Sequence, residues 1–253
     1  MEASKDTALV TGASAGIGAE FCRQLAERCG RIIAVARRGE RLDELKAELG
    51  HAVEIHPVVA DLTVAADRER VVRTMEELGP VDFLVNNAGL GTFGEFNETE
   101  LPAQQRQVDL HITATLALTH ATLPGMIERG RGTIINLSST AAFSGKPRAM
   151  VYCGSKAFLN LFSRGLQAEV AEHGIKVQSL CPGFTCSEFH DREGVTRAGF
   201  RRDQVPEEMW MEASEVVAQS LAALDGGQVT VLTGDHNREA ARADLLAQAD
   251  ELS

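Results

Sequence analysis

The chain has 253 residues, 44% of them hydrophobic and 24% charged, which suits a soluble globular protein with one sizeable core and excludes disordered and fibrous classes. Its 25 Lys and Arg against 36 Asp and Glu leave a formal charge of −11, which disfavours general binding to nucleic acid or to an anionic membrane. No stretch approaches the ~18 to 20 apolar residues of a membrane span, and the first residues carry no signal-peptide core, so the reading is a cytosolic protein.

Short apolar runs alternate with longer amphipathic ones along the whole chain. Strands are predicted at 7–11, 31–36, 53–59, 82–87, 132–138, 175–181 and 228–233. The intervening segments have helical spacing and helix boundary signals, such as Ser214 before EVVAQSLAAL and the pair Gly226 and Gly227 after it. Near-continuous apolar strands alternating with helices predict an α/β fold, a doubly wound parallel sheet covered on both faces. With no repeat and no low-complexity linker, the expectation is a single domain. Its one irregular stretch, 185–211, reads either as a substrate loop or as a solvated excursion.

The first strand runs into TGASAGIG, 11–18, and then a helix expected to reach about Cys29. A glycine-rich strand-to-helix turn gathers backbone N–H groups and the positive end of a helix dipole, which binds phosphate without a lysine. Gly12, Ser14, Gly16, Ile17 and Gly18 are the candidate contacts. Gly12 permits the turn, while Gly16 and Gly18 allow close approach and packing. The spacing G-x-x-x-G-x-G differs from the usual dinucleotide fingerprint, so position before a helix carries the argument.

The second strand ends in VARRGER, 35–41. Ala36 stands where an acid would read a free ribose 2′-hydroxyl, and Arg37, Arg38 and Arg41 follow, a composition that suits a 2′-phosphate. The cofactor expected is NADP(H) ahead of NAD(H); the alternative leaves these arginines as a solvated helix start.

Five cysteines, an odd number with no CxxC spacing, indicate reduced thiols rather than a disulfide framework or a zinc site, and no metal is expected. Cys153 reads as a small buried residue. His190 and His236 have no metal-like partners. Met209, Trp210 and Met211 read equally as an apolar pocket wall or as core.

The only tyrosine, Tyr152, lies four positions before Lys156 in YCGSK. Residues at i and i+4 share a helix face. An ammonium there is expected to lower the phenol from its usual pKa of about 10, making Tyr152 a general acid/base beside a nicotinamide. Lys156 is also placed to hold the nicotinamide ribose. Ser139, at the end of a predicted strand, is positioned to hydrogen-bond the same substrate oxygen.

With TGASAGIG, NNAG (86–89), the serines before YCGSK, and CPGFT (181–185), the chain resembles the short-chain dehydrogenase/reductase family over nearly its whole length. The resemblance implies a seven-stranded Rossmann-type sheet, NAD(P)(H), alcohol/carbonyl redox chemistry and a homodimer or homotetramer. It makes Ser139 the donor to the substrate oxygen, Tyr152 the acid/base and Lys156 its partner. It places Asp61 and Leu62 at the adenine and Asn87, Ala88 and Gly89 beside the adenosine ribose. Pro182, Gly183 and Thr185 fall at the nicotinamide.

One departure stands out. The resemblance implies an asparagine in the helix preceding LPGM, whose backbone carbonyl holds a water linked to the lysine; here that position is His111. The backbone carbonyl survives the change. The imidazole is either a proton relay titrating near neutrality or a packing substitution.

The reaction expected is interconversion of a small apolar ketone and a secondary alcohol. The alternatives are reduction of an imine or enone, or a cofactor-binding sensor with little turnover.

Overall fold

The computed structural model describes residues 6–191, 195 and 199–252. Strands β1 (Thr7–Thr11), β2 (Arg31–Ala36), β3 (Glu54–Val59), β4 (Phe83–Asn86), β5 (Gly132–Leu137) and β6 (Ile175–Cys181) form, with a last strand Thr230–Leu232, a seven-stranded parallel sheet. The order is β3-β2-β1-β4-β5-β6-last, so the winding reverses between β1 and β4. The carboxyl ends of those two strands open the crevice where such sheets take ligands.

Alternation along the strands divides the core in two. Ala8, Val10, Ile32 and Ala34 face one apolar layer, packed by Phe21, Leu25, Leu42, Leu45, Val217 and Leu221. Leu9, Ile33, Val35 and Leu84 face the other, packed by Val71, Met75, Leu118, Leu166 and Val170. The first layer comes from α1 (Gly16–Leu25), α2 (Gly39–Leu49) and the helix Ala213–Ala223. The second comes from α3 (Ala65–Leu78), α5 (Ala114–Arg129) and α6 (Met150–Val170). Both strand faces are buried, which is why these strands read as continuous apolar runs. Pro57, which has no N–H for the ladder, is tolerated because β3 is the sheet edge.

Four strands are shorter than expected, those predicted at 53–59, 82–87, 132–138 and 228–233, and three helix boundaries depart as well. Helix α1 stops at Leu25 rather than near Cys29. The helix Ala213–Ala223 starts after Glu212, whose backbone N–H donates to Glu215 (3.3 Å), so Ser214 lies within the first turn and is not the cap. The helix before LPGM continues through it: α4 (Leu101–Val108), a π turn at Asp109–Thr113 and α5 run together past Pro124 to Arg129, ending at Gly130 with φ +65°. The irregular stretch folds back as a short strap, where Thr185–Cys186 pair with Met211–Glu212. Within it, residues 192–194 and 196–198 lie outside the described residues.

Candidate active site

The glycine turn and the turn after β4 are tied together by one side chain. The Thr11 hydroxyl accepts from the backbone N–H of Asn87 and of Ala88, each at 2.9 Å, and donates to the Val85 carbonyl at 3.2 Å. The Asn87 side-chain amide reaches back to the Thr11 carbonyl at 2.7 Å. Gly12 turns the chain with φ +68°, a conformation that disfavours a side chain. A Cβ at Gly18 would overlap the Gly12 carbonyl oxygen and the Asn87 amide, so Gly18 serves the packing of α1 into this turn.

Ala15 precedes α1 in extended conformation, and among the described residues no side chain caps the helix and no acid occupies its first turn. Those N–H groups and the helix dipole are available to a phosphate. Together with the glycine conformation, this donor set fits a dinucleotide. It borders a cleft of about 630 Å³ whose lining includes Gly12, Ser14, Gly16, Ile17, Arg37, Arg38, Asp61, Leu62, Asn87, Ala88, Gly89, Ser139, Tyr152, Lys156, Pro182, Gly183 and Thr185. Gly18 stands behind this wall, and His111 lies one layer below it.

At one end of the cleft, Arg38 sits over Ser14, its Nη2 3.2 Å from Ser14 Oγ, and its Nη1 is 2.8 Å from the Glu188 carboxylate. Arg37 is exposed beside it. Asp61 accepts from the Thr63 hydroxyl (2.7 Å) and backbone (3.0 Å). Burial pushes its carboxyl up, but these bonds together with Arg37 and Arg106 hold it below the usual carboxylate range.

At the other end, Tyr152 and Lys156 rise from one face of α6 and Ser139 projects from the end of β5. The Ser139 hydroxyl accepts from the Ala141 N–H at 3.1 Å and hydrogen-bonds the phenol. Phe93 and Phe189 flank the tyrosine ring, centroids 5.3 and 6.0 Å away. Behind Phe189, the strap packs Phe184, His190, Phe200 and Trp210 ring on ring, with centroids 5.0 to 5.9 Å apart. Trp210 thereby backs the pocket wall, while Met211 belongs to the core.

Two electrostatic expectations are corrected. Burial pushes the Tyr152 phenol up to about 12, with the Ser139 bond pulling the other way, so the phenol is not lowered by its neighbour. The reason is the state of Lys156. It is buried, its Nζ donates to the Leu137 carbonyl at 2.7 Å, and burial brings its pKa down to about 7. A cation that burial itself half-discharges, 5.7 Å from the phenol ring centroid, offers little pull.

The second correction concerns His111. It stands on the π turn, buried, with Nε2 accepting from the Leu90 N–H at 3.2 Å and Nδ1 2.8 Å from the Ser155 hydroxyl. That hydroxyl donates to the Tyr152 carbonyl at 2.8 Å, so it accepts from His111, and the imidazole is the neutral Nδ1–H form. Burial and the Lys156 charge hold its pKa well below 6.5. With both nitrogens engaged, the ring links the turn at Leu90 to α6 and does not titrate near neutrality.

Sequence reasoning missed Phe93, Phe189, Ser155 and Glu188. Ser155 lies inside YCGSK, but its link to His111, 44 residues away, leaves no local signal, and the other three take their places through tertiary packing. The π turn left no trace in the hydrophobic spacing.

The profile of the short chain dehydrogenase family matches residues 6–197. The chain belongs to the short-chain dehydrogenase family. A serine 3-dehydrogenase from Rhizobium radiobacter is 39% identical over 186 residues, covering 72% of this chain and 73% of the relative. Among solved structures, a short-chain dehydrogenase from Sphingobium yanoikuyae in complex with NADPH superposes with a TM-score of 0.84 at 33% identity, covering 97% of this chain and 94% of the other. A bulky-bulky ketone specific alcohol dehydrogenase from Comamonas testosteroni does so with 0.81 at 31%, covering 97% and 92%. This short-chain dehydrogenase is an NAD(P)-dependent oxidoreductase acting on the CH–OH/C=O pair. Among its described residues, no helix is long and apolar enough to cross a membrane.

Proposed function

We propose that this short-chain dehydrogenase interconverts an apolar ketone and its secondary alcohol with NADP(H), using Tyr152 as general acid/base. The observation that carries the reading is the convergence of Ser139, Tyr152 and Lys156 at one end of the cleft, beneath an aromatic wall. When bound, the dinucleotide supplies or accepts the hydride.

The Ser139 hydroxyl and the Tyr152 phenol hold the substrate oxygen between them. A phenol near pKa 12 is protonated across the physiological range, so Tyr152 meets a carbonyl as an acid and releases its proton as charge builds on that oxygen. In reverse it takes the proton from the alcohol. Lys156 uses one N–H on Leu137, and its Nζ lies against Gly89, which suits a second role in holding a ribose hydroxyl. His111 positions the catalytic helix through Ser155. Arg38 and Arg37 support NADP(H), as does the NADPH bound by the Sphingobium relative. Phe93 and Phe189 support a bulky apolar carbonyl over a zwitterion such as serine. The exposed side chain of Leu161 on α6, open over 67% of its surface, supports pairing of this helix in a homodimer or homotetramer.

Purified protein with NADPH and a panel of aryl and dialkyl ketones, with L-serine as the polar alternative, tests the reading. Ketone turnover that falls about 10²- to 10⁴-fold in Tyr152→Phe at retained NADPH affinity is expected. Turnover of serine alone would overturn the substrate class, and an active Tyr152→Phe the mechanism.

A further inference from the structure

Arg38, at the cofactor's expected 2′-phosphate, is already paired with an anion belonging to the chain itself. We propose that Glu188 is a built-in rival of the 2′-phosphate, so that its carboxylate sets how strongly this protein prefers NADP(H) over NAD(H); the inference rests on the cofactor reading above.

The strap that follows β6 lies directly on the glycine turn. Gly16 has φ +54°, and a Cβ placed on it would come within 2.8 Å of Ser187 Cβ. One residue further, Glu188 reaches Arg38 Nη1 at 2.8 Å, and its charge is also felt by Arg41. The Arg38 guanidinium spends its Nε and Nη2 edge on Ser14, at 3.4 and 3.2 Å, so Nη1 is the edge it presents to an anion. Carboxylate and phosphate monoester both accept from that edge.

A 2′-phosphate seated on Arg38 must therefore displace Glu188 or lie beside it. Displacement breaks an ion pair; adjacency sets two anions together. Both outcomes weaken NADP(H) and leave NAD(H), which lacks the phosphate, untouched. The pair is partly exposed, with side chains open over 37% and 47% of their surface, so solvent keeps the effect modest.

The strap also carries its own reporter. Glu188 adjoins Phe189, which packs on His190 at 5.3 Å, and His190 packs on Trp210 at 5.0 Å. Trp210 is the only tryptophan, so its emission reports both ligand binding and the integrity of the strap.

Binding of NADPH, NADH, 2′-AMP and 5′-AMP is measured by Trp210 emission and by calorimetry in wild type, Glu188→Gln, Arg38→Ala and the double variant. Expected is an affinity gain of about two- to fivefold for NADPH and 2′-AMP in Glu188→Gln, with none for NADH or 5′-AMP. The gain disappears in the Arg38→Ala background. An unchanged NADPH affinity in Glu188→Gln, or an equal gain for NADH, overturns the inference while leaving the cofactor reading intact. Wild type that binds NADH as tightly as NADPH, with no loss in Arg38→Ala, overturns both. Native Trp210 emission and an unchanged unfolding midpoint certify each variant's fold.

Discussion

Lys156→Met in the unliganded protein is expected to raise stability at neutral pH, by an amount that shrinks as pH rises. Lys156 is 3% exposed, and burial brings its pKa from 10.5 down to about 7. The folded state therefore holds this proton more weakly than the unfolded chain. Below about pH 7 both states are charged and the full cost of burying the ammonium is present. Between about pH 7 and 10.5 the folded lysine is neutral while the unfolded one still binds a proton, so the cost fades as pH climbs. At 1.36 kcal/mol per pH unit the full cost is about 5 kcal/mol, an order-of-magnitude figure. Methionine removes it but strands the Leu137 carbonyl, at roughly 1 to 3 kcal/mol. The net gain is about 2 to 4 kcal/mol at neutral pH, or roughly 5 to 15 °C for a chain of this size. Urea and thermal unfolding of both proteins at about pH 6.5 and 9.5 measure it, since the difference between them cancels every other titrating group. A variant less stable than wild type at neutral pH, or a gap that stays constant or widens with pH, refutes the argument.

His111→Phe keeps an aromatic ring and removes both hydrogen bonds, so a fall of about tenfold or more in kcat is expected, with His111→Gln recovering much of it by accepting from Leu90. Imidazole ¹⁵N shifts are expected to show Nε2 unprotonated from mildly acidic to neutral pH; a protonated Nε2 there would exclude the neutral linking ring. Gly18→Ala forces α1 away from Gly12 and Asn87, and overpacking of this kind costs about 1 to 3 kcal/mol. The unfolding midpoint and the affinity for NADPH are expected to fall together in that variant. A midpoint loss with unchanged affinity would mean that the turn does not shape the cofactor site.

Much of this architecture was legible because local and long-range demands agree. The ranges of β1, β2 and β6 were readable to the residue, since sheet burial on both faces makes the apolar run and the strand coincide. Gln228, Val229 and Thr233 let the last strand read as 228–233 where the structure has Thr230–Leu232, because propensity alone does not reveal where ladder partners end. Tyr152, Lys156 and Ser139 were legible through spacing. Their protonation states were not, because desolvation depends on what closes over a group: the i, i+4 spacing predicts attraction between the pair, while burial of both sets the pKa values. The lysine's carbonyl partner, the π turn under His111 and the strap's grip on Arg38 join residues far apart in sequence, where no periodicity records them.

The hydroxyl of Thr11 stitches the two turns of the crevice into one seam, so a shift in either turn costs hydrogen bonds in the other. Adaptation to new substrates then falls to the strap after β6, whose described residues meet the two turns through Ser187 at Gly16 and Phe189 at Gly91. The protein is in effect a fixed bed for hydride exchange beneath a replaceable roof, and transplanting a roof from a relative is the natural route to altering what it reduces.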